Sequence, residues 1–397
     1  MKAKNFTFRI KQLLVIPILL TQTIVYQGCK KENADNFAVD KYDAAKNPFL
    51  NKKFSATAIP VTAYDVTNAL PKNYVKDGSK DYTTYLQDAI NKNSNLVFPA
   101  FPIMVNDRGL TIGSNKTITF MTGSQLLLKP TASGNYSILR ISNAGNITLN
   151  NPVLVGERYN HIGDNGGEWG QGIGLYGAYN VTINGPRVSN CWGDGIYLAA
   201  KDRITNKNIK IYNAYCKNNR RNGISVTCVD GLLLEAPYAG YSDGTPPSAG
   251  IDFEAETFTD ELKNVVINSP KTEYNTGAGI LIGFRSLFGG PNKTVSFQIN
   301  YPMDKGSNVG FKTSAILTRR VGNETVTGSV SIINPYWRKN TLSPLQANLL
   351  VRTIQLKIID PVIQDIDGNQ LSESSVYSIL TYKYNLNLDS NYLISFL

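Results

Sequence analysis

The chain has 397 residues, of which 42% are hydrophobic and 18% charged, a balance that argues against a disordered polymer. Its formal net charge is +10, yet no Lys/Arg block with interleaved aromatics suggests a nucleic-acid partner. A single histidine rules out a multi-histidine metal site.

The first predicted element is a targeting segment. Lys2, Lys4, Arg9 and Lys11 form a basic start, and an apolar stretch from Leu13 to Tyr26, broken by Pro17, is too short to span a bilayer comfortably. It ends at Gly28-Cys29 before the polar tract Lys30-Lys31-Glu32-Asn33. This resembles a bacterial lipoprotein signal, which implies cleavage after residue 28 and acylation of Cys29. Tyr26 and Gln27 depart from the usual residues before that cysteine, and an ordinary signal peptide with an incidental cysteine is the alternative. Residues 29–58 read as a polar tether and 59–397 as one domain. Removing the signal leaves a net charge of +6, suited to an anionic glycan among other partners. The implied location is the outer membrane or cell surface. The remaining Cys191, Cys216 and Cys228 are an odd set, read as small buried hydrophobes.

A turn at Asp77-Gly78 precedes an amphipathic helix capped by Asp81, with Tyr82, Tyr85, Leu86, Ala89 and Ile90 on one face. It suits a lid over the open end of a repeat structure. Short strands are expected at Leu96–Phe98, Lys116–Phe120, Gln125–Leu128, Ile138–Ile141 and Asn146–Leu149.

From there two phrases recur together. Gly-Ile pairs stand at Gly172-Ile173, Gly195-Ile196, Gly223-Ile224, Gly250-Ile251 and Gly279-Ile280, at intervals of 23, 28, 27 and 29 residues. A hydrophobic run closed by a turn residue and proline repeats in step at Pro152, Pro186, Pro237, Pro270, Pro302, Pro335 and Pro361, with a proline-less copy near Asn213. Roughly three short strands per coil of about 25–30 residues is the arithmetic of a parallel β-helix, an all-β solenoid whose connections are right-handed. The pattern weakens after Lys339, but Val351–Ile359 and the final Tyr-rich strands read as closing coils.

The opening segment Tyr74–Ile112, with Asp77-Gly78, Gln87-Asp88-Ala89-Ile90 and Val97-Phe98-Pro99-Ala100, resembles that of the pectate lyase-like β-helix superfamily. The runs Gly167–Ile173, Cys191–Ile196 and Arg220–Ile224 are similar to bacterial members and phage tailspike relatives. The resemblance covers most of residues 60–300. It implies a right-handed parallel β-helix acting on polysaccharide, and leaves the reaction open.

Stacking columns nominate the site. Outward places after each Gly-Ile pair read Gly174, Tyr197, Ser225, Asp252 and Leu281, then Tyr176, Ala199, Thr227, Glu254 and Gly283. Asp252 and Glu254 share one strand face, roughly 6.5–7 Å apart along it, and Asp194 lies two coils below at roughly 10 Å. Inverting glycosidases hold their carboxyl pair about 6.5–9.5 Å apart, which makes Asp194, Asp252 and Glu254 acid and base candidates; a solvated charged face is the plainer alternative. Glu168, Trp169, Trp192, Tyr197, Arg220 and Arg221 flank them as sugar-binding candidates, with the Trp pair equally readable as packing. Arg158 and the lone His161 lie in a polar insertion, Gly156–Gly167; His161 is a candidate base or a structural hydrogen-bonder.

Related polygalacturonases carry an Asn-Thr-Asp phrase, to which Gly193-Asp194-Gly195-Ile196 is only similar; their Asp-Asp and Arg-Ile-Lys phrases are missing. Three functions therefore stay open: hydrolysis without a cofactor, elimination from a uronate helped by Arg220, Arg221 or Ca²⁺ with His161, Tyr197 or an Arg as base, and non-catalytic glycan binding.

Overall fold

The computed structural model describes residues 62–163, 166–315, 326–349, 353–380 and 392–396. The signal, Cys29 and the tether lie outside them, as do Asp164 and Asn165 of the polar insertion.

The strands fall into three sheets in which every ladder is parallel. Sheet 1 holds the Gly-Ile strands, among them Trp169–Tyr176, Ile196–Ala199, Ile224–Val226, Ile251–Glu254 and Ala278–Gly283. Sheet 2 runs from Tyr64–Asp65 through Tyr179–Asn184 and its successors to Tyr392–Ser395. Sheet 3 runs from Pro102–Val105 to Val362–Gln364. Successive strands of one coil enter sheets 1, 2 and 3 in turn, so the chain winds as a solenoid around a single column of inward Ile, Leu, Val and Phe side chains. The strands expected in the first coils all form, extended by up to three residues at an end.

The two sequence phrases each have a steric cause. At Gly172, Gly195, Gly223, Gly250 and Gly279 an added Cβ would meet the carbonyl oxygen of the glycine one coil on at 2.6–2.7 Å, so only glycine permits this stacking. The proline phrase is the corner between sheets 2 and 3, which spans two residues in every coil from Asn151-Pro152 to Asp360-Pro361. Its first residue takes a left-handed backbone, φ between 48° and 58°, and four of the eight are Asn or Asp, which tolerate it. Proline follows where its fixed φ fits and its carbonyl accepts from the next coil, as Pro152 does from Arg187 N at 2.8 Å.

The predicted helix covers Thr83–Lys92 and packs on the 3-10 turn Val66–Ala69 and on Leu110–Thr111, the edge of sheet 1. Asp81 does accept from Thr83 N, at 2.9 Å. Leu86, Ala89 and Ile90 are buried with Tyr82, but Tyr85 is exposed, because the buried stripe is narrower than the sequence spacing suggests. The three described cysteines are buried and free.

Candidate functional site

The columns read from the sequence are the columns observed. Gly174, Tyr197, Ser225, Asp252 and Leu281 stack in register across sheet 1, and Glu254 pairs with Gly283. What the sequence did not convey is burial. Asp194 is 1% and Asp252 2% exposed, so the outward acidic patch is not solvated charge. The segment after strand Ile251–Glu254 turns back over the same sheet, so that Glu256 accepts a 2.5 Å hydrogen bond from the Tyr197 hydroxyl, two coils below. Arg221 closes over the other side.

Arg221 pairs with Asp194 at 3.1 Å and with Glu168 at 3.2 Å. Asp194 also accepts from Asn222 N at 3.0 Å. The Asn222 side-chain amide donates to Ser225 Oγ at 2.9 Å and to Asp252 Oδ2 at 3.2 Å, so one residue, through its backbone N–H and its side chain, links the two carboxyls. Asp252 Oδ1 has no hydrogen-bond partner among the described residues. Glu254, two residues on, is exposed, and its carboxylate lies over Gly283, which offers no side chain to fill the space.

Electrostatics separate the two buried acids. Burial raises Asp194, Arg221 pulls it back, and it settles at about 6. Burial and then the neighbouring Glu254 push Asp252 well above the usual carboxylate range, with Arg221 only partly opposing them. Burial and the Glu256 hydrogen bond raise Tyr197, which favours its neutral, donating form.

A second cluster forms beside this one. His161 stacks on Trp192 with ring centroids 3.6 Å apart, and its Nδ1 lies 2.9 Å from Glu157 Oε2. Glu157 also accepts from the Tyr136 hydroxyl at 2.7 Å, which in turn accepts from Trp192 N at 3.2 Å. The Arg220 guanidinium lies 3.9 Å from the Trp192 ring centroid and donates to Gly167 O at 2.7 Å. The His161 side chain is only 2% exposed. Arg158 is committed elsewhere, to Asn218 O at 2.9 Å and the Asp243 carboxylate at 2.5 Å, which ties the insertion to the loop before strand Ile251–Glu254. Trp169, by contrast, is half exposed beside Glu168.

The structure thus brings together Asp194, Arg221, Glu168, Asp252, Glu254 and Tyr197, and sets His161, Trp192 and Arg220 in an adjoining packed cluster. Sequence reasoning did not single out Glu157, Tyr136, Asn222 or Glu256. The i,i+4 spacing of Glu157 and His161 was a usable signal for the first; nothing in the pattern foretold that the chain would fold back at Glu256. No group of three or more His, Cys, Asp or Glu side chains among the described residues is arranged to hold a metal ion.

A family described as right-handed beta helix region matches residues 102–235. The chain is a right-handed parallel β-helix. An uncharacterised Bacillus subtilis protein, YclG, is 28% identical over 261 residues, covering 55% of this chain and 44% of its own length. The chain spans less than half the length of the curated relatives it matches. Among solved structures, tailspike gp49 of Acinetobacter baumannii bacteriophage Fri1, a capsular polysaccharide depolymerase, superposes with TM-score 0.55 and 13% identity, over 86% of this chain and 63% of the tailspike chain. A 1,3-alpha-1,4-beta-D-galactose-4-sulfate-3,6-anhydro-D-galactose-2-sulfate 4 galactohydrolase superposes with TM-score 0.51 and 12% identity, over 72% and 73% of the two chains. At such identities these likenesses establish the fold alone.

Proposed function

We propose that this β-helix binds a polysaccharide along sheet 1 and hydrolyses it, with Asp252 as general acid and Glu254 as general base. The observation that carries the reading is the contrast within one strand: a buried carboxyl pushed well above the usual carboxylate range, its Oδ1 unpartnered, two residues from an exposed carboxyl group packed over Gly283. Their spacing along the strand, roughly 6.5–7 Å, suits an inverting displacement with water between them. Asp194 and Arg221 position the pair through Asn222, and Trp169 and Glu168 offer a stacking ring and an acceptor to the sugar.

Elimination is less well supported. Two of its candidate bases are engaged, Tyr197 as a donor to Glu256 and His161 between Glu157 and Trp192. Of the aligned solved structures, two carry the names of a depolymerase and a galactohydrolase, which agrees with a glycan as substrate. The same reading keeps Cys29 as a lipid anchor holding the enzyme on the cell envelope; Cys29→Ser is expected to abolish palmitate labelling.

The test is incubation with a panel of glycans, read by reducing ends and by ultraviolet absorbance of unsaturated ends. Hydrolysis gives the first signal without the second. Absorbance at unsaturated ends would move the reading to elimination, and binding without either signal would make the protein a glycan-binding module.

A further inference from the structure

Sheet 3 presents a surface unlike the acidic face of sheet 1. Its strands Arg187–Ser189, Tyr215–Lys217, Tyr238–Gly240, Lys271–Glu273, Met303–Lys305 and Tyr336–Arg338 stack in register, one per coil. Their outward places and the turn residue after each hold six basic side chains and a single acidic one, Glu273.

Four of the six cations lie against tyrosine rings. Arg187 lies 4.4 Å from the ring centroid of Tyr215, which itself stacks on Tyr238 at 4.6 Å. Lys217 lies 4.7 Å from Tyr241, Lys305 5.6 Å from Tyr274, and Arg338 5.1 Å from Tyr336. Such contacts restrict long, flexible side chains and so lower the entropy lost when they bind something. Lys305 has Glu273 as its neighbour on one side of the ladder and Arg338 on the other, and the like-charged second pair destabilises the sheet. A bound anion would reverse the sign of that term.

We infer that the outer face of sheet 3 is a second binding surface, for an extended linear glycan bearing carboxylate or sulfate groups and lying along the solenoid axis. From Arg187 to Arg338 the cations recur over five coil steps, about 24 Å at the usual strand spacing, which matches a regularly charged polymer better than a small anion. A membrane surface fits less well, since an interfacial element buries a broad apolar face beside its cations, and here the outward places between the cations are mixed, with Ser189, Gly240 and Glu273 among Met303 and tyrosines engaged in ring contacts. The surface lies on a different sheet from Asp252 and Glu254 and does not depend on what they cleave.

The test is binding of the full chain to polygalacturonate and to dextran sulfate at about 0.15 M salt, where weak surface attraction is screened, with uncharged dextran as control. Saturable binding to either charged polymer and none to dextran is expected. The fourfold variant Arg187→Gln, Lys217→Gln, Lys305→Gln, Arg338→Gln should lose at least tenfold in affinity. The charge-preserving set Arg187→Lys, Lys217→Arg, Lys305→Arg, Arg338→Lys should bind within threefold of the parent, which separates lost charge from lost fold. Lys207→Gln with Lys210→Gln, which removes two exposed cations on sheet 2, should bind as the parent does. Three results would overturn the inference: no binding to either charged polymer, undiminished binding by the glutamine variant, or charge-dependent binding confined to vesicles containing phosphatidylglycerol.

Discussion

Two carboxyls buried in the same solenoid meet different fates. Asp304 occupies an inward place of sheet 3 and receives Thr272 Oγ1 at 2.6 Å, Ser307 Oγ at 2.7 Å and Asn340 Nδ2 at 2.6 Å. Asp252 sits on the outer face of sheet 1 with one amide donor at 3.2 Å and one oxygen unpartnered. Burial raises both, Asp304 to about 7. The first is a structural node whose donors lower the cost of burying it. The second carries much of that cost uncompensated, as active-site groups do.

The largest effects should separate the two. Asp304→Ala removes the acceptor shared by Thr272, Ser307 and Asn340 and should destabilise the fold by about 2–4 kcal/mol, read from the denaturant midpoint. Asp252→Asn keeps its acceptor for Asn222 and should leave that midpoint nearly unchanged, while glycan hydrolysis falls by roughly 10²–10⁴-fold. Equal destabilisation by both would erase the distinction between node and site.

Stability against pH sharpens it further. Asp304 and Asp194, both raised above the ordinary value of 3.8, bind protons in the folded state that the unfolded chain has already released. Stability should therefore be greatest below about pH 4 as far as these groups are concerned. It should then decline as pH rises, until about 6 for Asp194 and about 7 for Asp304. Asp304→Asn should flatten the upper part of that decline in a series of thermal melts. Arg221→Gln removes the cation that pulls Asp194 down, so the Asp194 carboxyl resonance should titrate at higher pH than in the parent. The smallest expected change is Glu256→Gln, which keeps a hydrogen bond for Tyr197 and should alter activity by less than about tenfold.

Much of this was legible in the chain. A period of stacked Gly-Ile pairs has one cheap geometry, and register then follows residue by residue, which is why the Tyr197–Ser225–Asp252 column could be written down in advance. Direction from the strand axis was legible as well, and exposure was not. Whether an outward side chain meets water depends on loops whose course has no periodicity. Glu256 returning to Tyr197 and Arg221 reaching both Asp194 and Glu168 are long-range events of that kind. His161 shows the same limit: its lone occurrence excluded a metal cage, but its seat between Glu157 and Trp192 required the fold.

The two-residue corner between sheets 2 and 3 has a consequence for how such a molecule can change. Eight coils turn there with the same length and the same left-handed residue, so an insertion would throw every later strand out of register. The other two corners vary freely: those leading from sheet 3 into sheet 1 span six residues before Ile196 and ten before Ile251, and those leading out span two before Tyr179 and seven before Leu262. Both variable corners border sheet 1. Tolerance to lengthening is thus concentrated around sheet 1, and a new specificity can be tried there by loop exchange while the opposite corner keeps the ruler.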